Sequence, residues 1–110
     1  MFAHAPHAGL LLTALLAVSP AYSATAQAGD PGAGHTLVKK WCANCHIVGS
    51  AQKQGSSTGA PTFDAIAQMK STTEMGLHAF LQTPHSRMPD LHLTRNEIDD
   101  VSAYILSLRH

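Results

Sequence analysis

The sequence predicts an all-α fold, a small bundle of about four short helices joined by long loops. Three observations carry this expectation. Apolar residues recur at the 3.6-residue helical period in two separated stretches, residues 34–45 and 94–108. Two Ser/Thr-x-x-Glu spacings, Ser71 with Glu74 and Thr94 with Glu97, have the form of capping boxes that open helices. No stretch of four or more residues alternates apolar and polar positions with β-branched enrichment, as a half-buried strand would require. A chain of 110 residues with no internal repeat has room for one compact domain.

The amino-terminal residues 1–28 read as a targeting segment. An apolar run at positions 10–18 is followed by Pro20 and then by small residues of the A-x-A kind, with cleavage after Ala28, Ala26 or Ser23. The region before the run has no Lys or Arg, only the amino terminus, His4 and His7. About nine apolar residues are too few to cross a bilayer core, which needs roughly twenty in a helix. The expectation is therefore an exported, periplasmic protein with no membrane span in the mature chain, whose functional domain is residues 29–110. That domain is near the size, roughly 70–80 residues, at which a side-chain core alone is marginal, so something besides side chains should help fill it. All seven basic and seven acidic residues lie beyond Ala28 and cancel. Such a balance offers no general field for nucleic acid or a charged membrane.

Within the domain, Gly34, Leu37, Val38, Trp41 and Cys45 share a helical period, which predicts a first helix with the cysteines late in it. Residues 47–61 are rich in Gly, Ser and Gln and read as a loop. A short helical pattern follows, with Phe63, Ile66, Ala67 and Met69 as apolar contacts. Ser71 opens a third helix whose Leu77, Phe80 and Leu81 form an apolar face before Pro84. Residues 94–108 form the last helix, with Ile98, Val101, Tyr104, Ile105 and Leu108 on its apolar face. Met69 and Met75, on predicted helices, read as packing residues.

The two cysteines lie three positions apart in Trp41-Cys42-Ala43-Asn44-Cys45-His46. In an oxidising compartment two cysteines are ordinarily read as one disulfide. This spacing with an immediately following histidine is instead the signature of covalent haem attachment. On a helical turn, sulfurs at i and i+3 share a face and can reach two vinyl groups of one porphyrin, while His46 offers imidazole to the iron. A thioredoxin-like dithiol shares part of the pattern, but it would follow a buried strand and need a depressed thiolate pKa. A zinc site would want four ligands. No second cysteine pair exists, and Pro84 and Pro89 interrupt any common face for His78, His85 and His92.

A sixth iron ligand must come from far along the chain. Met88, in His85-Ser86-Arg87-Met88-Pro89, is the candidate: it lies in a polar loop that needs no packing filler, and Pro89 restricts the backbone beside it. A thioether is a soft, neutral ligand that favours ferrous iron. His85 is the competing ligand.

On these motifs, residues 34–108 resemble a class I cytochrome c of the small bacterial monohaem kind. Gly34, Val38 and Cys42 keep the family's first-helix spacing, although Val38 stands where an aromatic is commoner, and Tyr104 matches the aromatic of the last helix that crosses the first near its glycine. The resemblance implies one covalently attached haem c, held by Cys42, Cys45 and His46. It also implies that the Pro61 carbonyl accepts the imidazole N–H, which fixes the ring and raises its basicity. The implied function is one-electron transfer between redox protein partners, a donor and an acceptor, with no enzymatic reaction of its own. In the family the haem edge near the thioethers is exposed, which makes the surface around Ala43, Asn44 and Ile47 and the Met88 loop the expected docking face. Two other readings stay open: a dedicated subunit of a periplasmic dehydrogenase or oxidase complex, and a haem enzyme or gas sensor in which Met88 detaches. The protein is expected to be a monomer or such a subunit.

Overall fold

The computed structural model describes Met1, residues 28–52 and residues 59–110. The expected leader, residues 1–28, falls almost wholly outside the described residues. Four helices follow in order, α1 (Pro31–Trp41), α2 (Phe63–Gln68), α3 (Glu74–Gln82) and α4 (Arg95–Ser107), with no strand among the described residues. The all-α expectation of four short helices and long loops describes this fold.

Helix α1 starts three residues before Gly34, because Asp30 and Pro31 make a strong N-terminus. The Asp30 carboxylate accepts from the backbone N–H of Gly32 at 2.7 Å and of Ala33 at 3.1 Å. Pro31 occupies the first helical position, where no N–H is needed. Lys39 and Lys40 in the last turn complement the helix dipole.

The core is built where α1 crosses α4. Helix α1 turns Gly34 and Val38 inward, and α4 buries Ile98, Val101, Ser102, Tyr104 and Ile105. The two backbones approach so closely at Gly34 that a Cβ there would run into the Asp100 carbonyl and come within 2.9 Å of the Tyr104 Cβ. Gly34→Ala must therefore push the helices apart. We expect it to cost at least the ~1–3 kcal/mol of an overpacked core, read as a lowered thermal midpoint. An unchanged midpoint would mean that the crossing is looser than described.

Thr94 caps α4 as its spacing predicts. Its hydroxyl accepts from the Glu97 N–H, and the Glu97 carboxylate accepts from the Thr94 N–H at 2.8 Å. That backbone N–H, and after it the Thr94 hydroxyl, holds the Glu97 carboxyl below its ordinary pKa. The capping box expected at Ser71 does not form. Helix α3 begins two residues later with Thr73 as N-cap, its hydroxyl accepting from the Gly76 N–H at 3.0 Å. Thr72 is fastened to the end of α2 instead, donating from its hydroxyl to the Ile66 carbonyl at 2.6 Å and from its N–H to the Met69 carbonyl at 3.0 Å. Arg109 closes the same corner by donating to the carbonyls of Ala67 and Thr72. The packing role expected for Met75 is also corrected, since it is 82% exposed. Met75 falls on the outer side of α3, and Met69 sits just past the end of α2.

Candidate functional site

Cys42 is the C-cap of α1, and the chain continues beyond it as one further helical turn. The Cys42 N–H donates to Val38 at 2.9 Å, and the N–H groups of Cys45 and His46 both donate to the Cys42 carbonyl, at 3.1 and 2.9 Å. The cysteines thus sit at the end of the first helix rather than within it. The Cys42 sulfur belongs to the buried core cluster, whereas Cys45 is exposed, and the two are unbridged. Burial, with a smaller contribution from the neighbouring Cys45 thiolate, pushes the Cys42 thiol up to about 11. At neutral pH it stays protonated, the opposite of what a reactive dithiol requires.

The His46 ring is held by two contacts from beyond the loop. Its Nδ1 lies 2.7 Å from the Pro61 carbonyl oxygen, and its face leans on Phe63 with centroids 5.3 Å apart. A carbonyl can only accept, so Nδ1 carries the proton and Nε2 keeps a free lone pair. Gln52 secures the turn from inside: its amide donates to the carbonyls of Ala43 at 2.8 Å and His46 at 2.7 Å, and its oxygen accepts from the Val48 N–H at 3.0 Å. Tyr104 adds a tie from α4, its hydroxyl donating to the Val48 carbonyl.

These groups open onto a cavity of about 350 Å³. One wall is Trp41, Cys42, Cys45 and His46, and another is Pro61, Phe63, Ile66 and Met69. Helix α3 contributes Leu77, Phe80 and Leu81, the following loop Arg87, Met88, Pro89, Leu91 and Leu93, and α4 Val101 and Ile105. The volume is in the range of small-molecule and cofactor sites, and the lining is mostly aliphatic and aromatic. The structure therefore brings together Cys42, Cys45, His46, Pro61 and Met88, residues separated by up to 46 positions. It does not bring His85 into that wall, and the His85 ring instead stacks on Phe80 at 3.8 Å. His78 pairs with Asp99 and His92 is exposed beside Asp90, so neither joins the cysteines in a zinc site.

Several lining residues escape a sequence reading. Trp41 was legible only as a helix residue, and Leu91 and Leu93 lie in a loop without periodicity. Gln52 carries no local signal for its three backbone contacts. Met69 is the second methionine on the cavity wall, which the packing reading did not foresee.

The donor set fits a covalently bound haem. Cys42, Cys45 and His46, from one turn, line an apolar cavity of about 350 Å³, and Met88 lies on the same lining. The comparisons with known proteins agree. The cytochrome c family model matches residues 32–109. Cytochrome c-552 of Bradyrhizobium diazoefficiens is 41% identical over 87 residues, covering 79% of this chain and 83% of the relative. No solved structure matches. On the family match and this relative, the chain belongs to the cytochrome c family, a haem electron carrier with one covalently attached haem c.

Proposed function

We propose that this is a periplasmic monohaem carrier, exported by residues 1–28 and matured to residues 29–110, that passes single electrons between a donor and an acceptor redox protein. Cys42 and Cys45 would attach the haem through their sulfurs, His46 Nε2 and the Met88 sulfur would hold its iron, and the Pro61 carbonyl holds the His46 ring. The observation that carries this reading is the shared cavity with His46 and Met88 both on its lining.

When bound, the haem supplies a one-electron iron couple. The chain's own residues decide what that couple is used for. His46, with Nδ1 committed to Pro61, presents Nε2 in a fixed orientation and with raised basicity. Met88, from a loop bounded by Pro89, would offer its sulfur to the iron and so exclude a small ligand or substrate. Phe63, Ile66, Leu77, Val101 and Ile105 line the cavity with apolar surface, which would bury the macrocycle and leave exchange with a partner as the chemistry that remains. The similarity to a cytochrome c-552 is consistent with a carrier of this kind. Among the described residues no helix is long and apolar enough to cross a membrane. Weak, transient docking suits such a carrier, and the balanced charge favours a small local contact over long-range steering.

Carbon monoxide added to the reduced native protein tests the closed-iron reading. The expected result is no spectral change on the time of mixing, because Met88 blocks the site. Rapid, stoichiometric binding would replace the carrier by an enzyme or sensor in which Met88 leaves.

A further inference from the structure

Away from the haem cavity, Glu74 and His78 stand one helical turn apart on α3, and Asp99 of α4 meets them. One donor atom from each of the three lies within 4.8 Å of the others. His78 Nε2 is 2.7 Å from Asp99 Oδ1, with the two side chains only 20% and 22% exposed. Glu74 adds a second carboxylate that forms no ion pair with any described residue. An imidazole and two carboxylates, one of them in no ion pair with a described residue, are thus gathered at the seam of two packed helices.

From this juxtaposition we propose that Glu74, His78 and Asp99 bind one divalent first-row transition ion, with water completing the coordination. The chemistry favours that class. Imidazole selects zinc, nickel or copper over calcium and magnesium, which prefer all-oxygen cages. The donor spacing admits a bound ion. Metal–donor bonds of about 2.0–2.2 Å in a tetrahedral site place donors roughly 3.3–3.5 Å apart. That separation falls between the 2.7 Å His78–Asp99 contact and the 4.8 Å outer limit of the group. The i, i+4 spacing of Glu74 and His78 puts both on one helical face, so rotamer changes alone can close the site. On binding, the metal takes the Nε2 lone pair. The Nε2 proton passes to Nδ1 or, from the imidazolium, is lost to buffer.

An ion held there fastens α3 to α4 from outside. Helix α3 carries Leu77, Phe80 and Leu81 into the haem cavity, so the ion would stabilise the folded state by mass action without entering the redox site. Zinc is the suitable probe, because it neither accepts nor donates an electron under these conditions.

The test is calorimetric titration of the native holoprotein with zinc chloride, beside the thermal midpoint with and without the ion. The expected result is one site per chain and a raised midpoint. Glu74→Gln and His78→Gln should each weaken binding at least tenfold, while His92→Gln, at an exposed histidine elsewhere, binds as the native protein does. Glu74 is exposed, so its variant removes a ligand without disturbing the His78–Asp99 contact, and it decides the matter if His78→Gln fails to fold. No saturable binding, or binding equal in native and Glu74→Gln proteins, overturns the proposal. Neither readout involves Met88 or the axial ligation, so failure here leaves the electron-carrier reading standing.

Discussion

Replacing both Cys42 and Cys45 by alanine is expected to give a protein from which haem is extracted by acidified organic solvent and which, once haem-free, loses the cooperativity of its thermal unfolding. The first effect follows from the loss of both thioether sulfurs. The second follows from size. A partly open cavity of about 350 Å³ is cut into a single small domain. At about 24 cal/mol for each cubic ångström left unfilled, its upper cost is about 8 kcal/mol. A domain of this size has roughly 5–15 kcal/mol of total stability. The group that occupies the cavity is therefore as much a part of the core as Val38 or Ile98. Far-UV circular dichroism through a thermal ramp checks the expectation. A sharp, native-like transition in the haem-free double variant would show that the polypeptide core suffices.

Met88→Ala is expected to leave haem attachment intact and to lower the reduction potential sharply, by a large part of the ~0.8 V range over which axial ligands set haem potentials. The direction is fixed by the chemistry. A neutral thioether favours ferrous iron, and the water or hydroxide that would replace it favours ferric. Because Met69 also lines the cavity, Met69→Ala is the control and should leave the potential near the native value. A potentiometric titration of both variants separates the two methionines. If Met69→Ala lowers the potential and Met88→Ala does not, the ligand assignment is reversed.

Much of the fold was legible because its signals are local. The Thr94–Glu97 box and the Ile98, Val101, Ile105 period lie within one helix, and both appear in α4. The close crossing of Gly34 and Tyr104, expected from resemblance to the family, is long-range yet recognisable, since only a glycine lets the two backbones meet. Ser71 misled because a hydroxyl two residues on, at Thr73, won the cap once Thr72 was tied to Ile66, a contact that spacing does not report. Met75 misled for a different reason: a methionine on a short helix was assigned to the core, but α3 turns Leu77 inward and Met75 outward. In the site, the residues that carry chemistry share motifs of a few positions, whereas those that shape the turn act across space. Gln52 reaches back to Ala43 and His46, and nothing around it in the sequence marks that role.

The central claim is an iron closed on both axial sides by His46 and Met88. The near-infrared absorption of the oxidised native protein tests it most directly, because a methionine sulfur bound to ferric haem gives a charge-transfer band that other axial ligands do not. The account predicts that this band is present in the native protein and absent from Met88→Ala. A native protein without the band, or a Met88→Ala variant that retains it, would contradict the account.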